Sequence, residues 1–405
     1  MKSGKTVLVY SQSDLVRDPR VHRQIELLSG EYNLVVFGNT PPKAKVAKFY
    51  DLVSLIGLPE NRDRSKKAAI ALFRRIGLKK FIIMSIRQFL KSVPIAPALQ
   101  AYWDCRVVRG NVIRRIRKTP CDLIIANDYS GLAVCAAAKG KRKLLYDAHE
   151  YTPGQFPRTK AHLAQRTHAR YVIRKNIGHC DMVMTIGDGI ARLYERMFGA
   201  HCEVVTNAPA YRDLSPSRGG EDKIRLVHHG VAAKNRDLEK LIDMMGFLDE
   251  KFSLDFYLVP FDEVYYSILR SRARDNPRIS FHEPVDMLHL PEELHQYDIG
   301  CYLFNPNCIN IAYALPNKFF EFVQARLAIA IGPVPEMGCY VKKYGLGVVS
   351  EDFEPKTMAR VLSRLDRDAI MEFKRASDAR AWELSSEPNA RIIKRIVAEL
   401  LEGTT

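Results

Sequence analysis

The 405-residue sequence contains no run of eighteen apolar residues, and this excludes a membrane-spanning helix of ordinary length. The first residues, Met1-Lys-Ser-Gly-Lys-Thr-Val-Leu-Val-Tyr10, enter a strand directly and lack the long apolar core of a signal peptide. No Cys-x-x-Cys pair occurs among the eight cysteines, at positions 105, 121, 135, 180, 202, 301, 308 and 339. A zinc site is therefore not expected, and reduced thiols of a cytosolic protein are the simplest reading. Acidic residues are scarce in one place: between Arg62 and Lys118 only Asp63 and Asp104 stand against sixteen Lys or Arg. That stretch carries a net +14 of the chain's +16.

What is present otherwise is ordinary for a globular chain, with 47% hydrophobic and 27% charged residues over a length that suits two domains or more. Within the basic stretch Ala69, Leu72, Phe73 and Ile76 follow helical spacing, as do Leu78, Phe81, Ile82 and Phe89. Lys66, Lys67, Arg74, Arg75, Lys79 and Lys80 flank them. Basic amphipathic helices of this kind lie on anionic membranes, or they turn one face to the protein core and the other to water. The aromatics are not interleaved with the basics as a stacking platform for bases requires, so no nucleic-acid partner is expected.

Short apolar runs punctuated by polar clusters recur in both halves. Thr6–Tyr10, Asn33–Phe37, Asp122–Ala126, Lys143–Asp147, Met182–Thr185 and Cys202–Val205 read as buried parallel strands. Asp18 and Pro19 open a helix as cap and first residue. Strands alternating with helices predict a doubly wound parallel sheet whose ligands sit beyond the carboxyl ends of the strands. Ser11 to Arg20, Asn127-Asp128-Tyr129 and Asp147-Ala-His-Glu150 fall there and are expected to converge. The polar stretch Tyr211 to Asp222, with Pro216 and Gly219-Gly220, reads as a linker. The rhythm then restarts with strands at Ile224–His228, Leu254–Val259, Asp298–Phe304 and Ala328–Ile331. The expected organisation is α/β: an N-terminal Rossmann-like domain over 1–210 with a basic insert at about 62–118, a second over 222–378, and a helix over 379–405 returning to the first. The two would face one another across a central cleft.

Ala314-Leu-Pro-Asn-Lys-Phe-Phe-Glu-Phe-Val323 stands between two of the later strands. Pro316 suits the first position of a helix, and the free N–H groups there, beside Lys318, suit a phosphate or diphosphate. Glu321, about one turn on, is placed to accept from ribose hydroxyls. Lys318 and Glu321 as a plain surface pair is the alternative.

Five motifs in order, Arg17-Asp-Pro-Arg-Val-His-Arg-Gln24, Tyr146-Asp-Ala-His-Glu150, Thr206-Asn-Ala-Pro209, His229-Gly230 and Leu315-Pro-Asn-Lys-Phe-Phe-Glu321, resemble those of GT-B glycosyltransferases of the retaining family 4 type. The resemblance runs from about residue 5 to 400. It implies a nucleotide-sugar donor, UDP- or GDP-linked, held by the C-terminal half, an acceptor held by the N-terminal half, and no required metal or further cofactor. Glu321 matches the second glutamate of the family's pair, and Tyr313 stands where the first belongs. Gly230, Pro316, Asn317 and Lys318 fall at the donor side. Lys234 and Arg236 fit the basic pair that neutralises the diphosphate, although Val231 replaces the arginine expected after the glycine. His149 matches the histidine that contacts the transferred sugar, and with Glu321, Arg236 and Lys318 it makes the expected catalytic set. Arg20, Asp128, Tyr129 and Glu150 are candidates on the acceptor side. Arg20 either faces the cleft or fixes its helix to the sheet, and Glu150 either orients substrate or caps a loop.

The activity these readings imply is transfer of a sugar to a glycan or lipid-linked acceptor in surface polysaccharide or glycolipid assembly. The basic stretch Arg62–Lys118 would place such an enzyme at the inner face of the cell membrane. A nucleotide-sugar 2-epimerase and a transferase fold without catalysis are the rivals.

Overall fold

The computed structural model describes residues 3–16, 18–56, 82–83, 85–86, 89, 96–220 and 223–402. The helical spacing read between Ala69 and Phe81, with its flanking lysines and arginines, lies outside the described residues, as does Arg17. The chain divides into two compact units. The first comprises Met1–Val205, Cys308–Asn310 and Ala390–Thr405, and the second Thr206–Asn307 and Ile311–Asn389.

The first unit is built on a seven-stranded sheet: β1 (Thr6–Tyr10), β2 (Asn33–Gly38), β3 (Lys48–Asp51), β4 (Leu123–Asn127), β5 (Lys143–Ala148), β6 (Met182–Thr185) and β7 (Glu203–Val204). The order is β3-β2-β1-β4-β5-β6-β7 and every pairing is parallel. Strands buried on both faces need apolar side chains on both, which is why β1 and β4 read as Val, Leu and Ile runs. Asp18 caps the helix Pro19–Ser29 by accepting from the N–H groups of Arg20 and Val21, as its sequence position implied. Strand β3 went unread because, as a half-exposed edge of four residues, it carries no apolar run.

The second unit holds a six-stranded sheet: β8 (Ile224–Val231), β9 (Phe252–Val259), β10 (Ile279–His282), β11 (Ile299–Tyr302), β12 (Ala328–Ile331) and β13 (Gly347–Val349). Its order is β10-β9-β8-β11-β12-β13, again all parallel. The helix Asn317–Gln324 lies close on this sheet because Gly300 of β11 has no side chain. A Cβ there would stand 2.5 Å from the Phe322 ring.

Two boundaries differ from the sequence reading. The first unit ends at Val205, not 210, because Asn389 holds both the N–H and the carbonyl of Thr206 and the Pro209 carbonyl accepts from the Ser386 N–H. The expected helix from Ala379 onward is two, Arg367–Arg380 and Ser386–Glu402, joined by a turn whose Ala381 and Leu384 are buried in the second unit's core. Pro388 falls in the first turn of the last helix, where its missing N–H costs nothing. From Ala390 on, that helix belongs to the first unit, with Ile396, Val397 and Leu400 in its apolar cluster. Each such side chain contributes roughly 1.5–3 kcal/mol when fully buried.

Candidate functional site

In the first unit the three polar clusters meet beyond the ends of β1, β4 and β5. Asp147, fully buried on β5, receives Arg20 Nε at 2.9 Å and Nη2 at 2.6 Å, while Arg20 Nη1 donates to the Val205 carbonyl at 2.7 Å. Arg20 is 7% exposed. Of its two open roles the structure shows the second: it ties its helix to β5 and the end of β7, and its guanidinium is occupied within the fold. Gln24 Nε2 donates to Asp147 at 3.2 Å, and Asn127 Nδ2 donates to Gln24 Oε1 at 3.2 Å. His149 completes the network. Its Nε2 donates to Asn127 Oδ1 at 2.9 Å and lies 3.5 Å from Asp147, and its Nδ1 lies 3.7 Å from Asp128. Burial works against a charge on His149, but Asp128 and Asp147 outweigh it and push the imidazole up to about 9. Asp147 is likewise opposed by burial, yet Arg20 and His149 hold it down to about 2.

Asp128 adopts φ 61°, a left-handed conformation rare outside glycine, and so the strand breaks sharply into the helix Asp128–Ala138 beside His149. Tyr129 is the next residue of that helix. It packs edge-on against His168 and lines a separate cavity of about 60 Å³ with Asp104, Arg109 and Cys105. Glu150 is partly buried, and its carbonyl accepts from the Tyr194 hydroxyl at 3.1 Å.

The second unit contains a cavity of about 330 Å³ lined by His229, Gly230, Val231, Arg236, Tyr257, Tyr302, Pro316, Asn317, Lys318 and Glu321, with an apolar wall from Val259, Pro284, Val285, Met287 and Leu290. Six of the eight donor-side candidates line it. Lys234 does not; it is exposed on the 3-10 turn Lys234–Arg236, and Arg236 alone of that pair reaches inward. Tyr313, ending the short helix Ile309–Tyr313, is also absent from the lining.

Pro316 is the residue before the helix rather than its first: its ψ of 153° is extended, and the helix runs Asn317–Gln324. No side chain caps that N-terminus, so its leading N–H groups open onto the cavity rim. Asn317 is held by Asn207, whose Nδ2 donates to its Oδ1 at 2.8 Å.

Lys318 and Glu321 are not a surface pair. Glu321 is 5% exposed and lies 3.4 Å from His229 Nε2. Lys318 Nζ sits 4.2 Å above the Tyr302 ring, and Arg236 Nη1 donates to the Tyr302 hydroxyl at 3.2 Å. Burial, then Arg236, drives Lys318 down to about 7, with Glu321 opposing. Gly230 is required here: its φ is 127°, and a Cβ would lie 3.2 Å from Lys318 Nζ. The sequence reading missed His228, Tyr302 and Tyr257. All three lie inside strand-like runs, where an isolated polar or aromatic residue is indistinguishable from core. The adjacent pair His228-His229 ahead of Gly230 was the available signal.

Among the described residues no group of three or more His, Cys, Asp or Glu side chains is arranged to hold a metal ion, and no helix is long and apolar enough to cross a membrane.

Neither the family models nor the curated protein sequences match this chain. Solved structures do. A glycosyltransferase from Rickettsia africae superposes with a TM-score of 0.65 at 10% identity, covering 99% of this chain and all of that one. Anabaena HepE in complex with UDP and glucose gives 0.64 at 14%, covering 98% and 99%. WaaG, a glycosyltransferase involved in lipopolysaccharide biosynthesis, gives 0.62 at 11%, covering 98% and 100%. At these identities the likeness is one of fold, and the chain has the GT-B fold with two Rossmann-like units.

Proposed function

We propose that this chain is a glycosyltransferase that moves a sugar from a nucleoside-diphosphate sugar to an acceptor, with retention at the anomeric carbon and without a metal. The observation that carries this reading is the cavity of the second unit, where Lys318, Arg236 and an uncapped helix N-terminus stand together with, among the described residues, a single lining carboxylate, Glu321. Cleaving the anomeric C–O bond puts negative charge on the leaving diphosphate. Fixed cations and helix N–H groups are suited to stabilise it. Glu321 would accept from the ribose hydroxyls, and Val285, Met287 and Leu290 would cover the base. In the first unit His149, charged between Asp128 and Asp147, is the candidate donor of hydrogen bonds to the transferred sugar. Retention follows from the resemblance to family 4 enzymes: the departing phosphate oxygen would take the acceptor's proton, so no separate strong base is needed.

The acceptor we favour is lipid-linked, in surface polysaccharide or glycolipid assembly at the inner face of the membrane. Support comes from the basic stretch Arg62–Lys118 and from the exposed Phe89, Leu99 and Tyr102 within it. At its end, in the helix Gly110–Lys118, Val112, Ile113 and Ile116 are buried while Arg114, Arg115, Arg117 and Lys118 face outward. The fold is also that of WaaG, whose own role is in lipopolysaccharide biosynthesis.

A second reading, donor binding without transfer, rests on Tyr313, which leaves Glu321 as the only carboxylate lining the cavity among the described residues. The test is turnover of UDP- and GDP-sugars with glycolipid acceptors, with the anomeric configuration of the product read by NMR. Product with the donor's configuration supports the main reading and inverted product contradicts retention. Binding without hydrolysis or transfer favours the second reading, and epimerised donor without acceptor would reveal an isomerase. Flotation on anionic vesicles, lost when Lys66, Lys67, Arg74 and Arg75 become Glu, supports the membrane assignment; no flotation of the wild type sinks it.

A further inference from the structure

Behind the lining of the second unit's cavity, against Lys318, stands a histidine that the proposed reaction does not use. His228 has no exposed surface and lies on β8 immediately before His229. Its Nδ1 is 2.7 Å from the Cys301 carbonyl oxygen on β11. A carbonyl only accepts, so this nitrogen carries the proton. Its Nε2 faces Lys318 Nζ at 3.3 Å. Two ammonium-like donors cannot share that contact, so the neutral imidazole offers a lone pair and Lys318 donates to it. The imidazole also stacks on Tyr302, ring centroids 5.7 Å apart, the same ring that Lys318 overlies.

Among the described residues the charged and titratable groups facing this pair are few. From β8 comes His229, from the 3-10 turn Arg236, from β11 Cys301 and Tyr302, and from the lysine's own helix Glu321, which is already 3.4 Å from His229. One carboxylate thus stands against a lysine, an arginine and two buried histidines. Such a cluster cannot carry its full complement of protons while the cavity holds no anion. The electrostatics agree: burial and then Lys318 push both histidines well below their ordinary range.

We propose that His228 is the positioning residue for Lys318, and that a diphosphate entering this cavity is taken up together with a proton that settles on the Lys318–His228 pair. This rests on the donor-site reading above. The diphosphate supplies the negative charge the cluster lacks, and buffer supplies the proton. The empty site holds the lysine aimed by the imidazole lone pair, and the filled site keeps that contact with the ammonium fully charged.

The experiment is calorimetric titration of the full chain with UDP-glucose and GDP-mannose, whose doubly esterified diphosphates do not titrate near neutrality. Two buffers of different ionisation enthalpy are compared at pH 7.5 and at pH 6. Uptake of about half to one proton per ligand is expected at the higher pH, falling towards none at the lower. His228→Gln keeps an acceptor near the Nε2 position and His228→Phe removes it, while both lose the Cys301 contact. The Phe variant is expected to bind about tenfold more weakly, and the Gln variant within about twofold of wild type. A binding enthalpy that is independent of buffer at pH 7.5 overturns the proton uptake. Equal weakening in both variants makes His228 merely structural and overturns its positioning role. Failure of the wild type to bind any nucleotide sugar is a separate result, which removes the donor-site reading itself.

Discussion

The two units each place histidine at the carboxyl ends of parallel strands, in opposite electrical surroundings. His149 stands between Asp147 and Asp128 and is driven towards the charged form. His228 and His229 stand beside Lys318 and are driven towards the neutral form. In the first unit charge is closed on itself: Arg20 and His149 answer Asp147, and Gln24 and Asn127 complete the hydrogen bonds. In the second, Arg236 and Lys318 line one cavity whose single carboxylate among the described residues, Glu321, is 3.4 Å from His229. A closed network rigidifies a fold, whereas an unanswered cluster of cations is a seat for an anion. The first unit's charges are thus largely answered within the fold, with His149 left as the group proposed to meet a sugar, while the second unit's cluster suits the anion proposed for it.

Breaking the closed network has the largest expected effect. Arg20→Met leaves the buried Asp147 carboxylate without its main partner, and urea unfolding at pH 7 should show a loss of about 3–5 kcal/mol. Unchanged stability with a specific loss of acceptor binding would instead make Arg20 a ligand residue and erase the contrast between the units.

Asp128→Asn should let the His149 imidazole fall from about 9 towards its ordinary 6.5, visible in histidine ring NMR, with a stability loss of about 1 kcal/mol because Asp128 is partly exposed. Because the folded value lies above the unfolded one, this contribution is complete below about pH 6.5 and disappears as pH rises through about 9. Lys318 carries the opposite sign. Its folded value, about 7, is below the unfolded 10.5, so the ligand-free protein gains stability from this group as pH rises between the two.

Gly230→Ala sharpens the comparison further, since the φ of 127° and the nearness of Lys318 make even a methyl costly. A loss of about 1 kcal/mol in stability and weaker nucleotide binding are expected by melting and calorimetry. Lys234→Ala, at an exposed position outside the cavity, should change stability by less than about 0.5 kcal/mol and leave nucleotide binding as it was.

The sheets were legible because parallel strands buried on both faces are written as apolar runs, and most of the strand-end clusters followed from that. Three of the four edge strands were not legible: Lys48–Asp51, Ile279–His282 and Gly347–Val349 are short and half-exposed, and only β7 was marked by its run Cys202–Val205. At the site, Lys318 and Glu321 stood out because charges inside an apolar segment are conspicuous, whereas Arg236 was reached only through the family resemblance. His228 and Tyr302 did not, since what distinguishes them is the lysine that a distant helix brings over them. Arg20 shows the reverse limit. A charged residue at a strand-end motif can serve a ligand or a buried carboxylate, and only the position of Asp147, 127 residues away in the chain, decides between them.

The most direct test of the account is a thermal-shift comparison of wild type and Lys318→Met with UDP, GDP, CMP, ADP and dTDP. A ligand that binds only the folded state raises its melting temperature by mass action. The account expects one nucleoside diphosphate to stabilise the wild type, and the variant, freed of a buried cation, to melt no lower than wild type when empty. It expects the variant to lose about 2–5 kcal/mol of nucleotide binding. No shift with any nucleotide in the wild type, or an equal shift in the variant, would contradict the assignment of the second unit's cavity as the donor site.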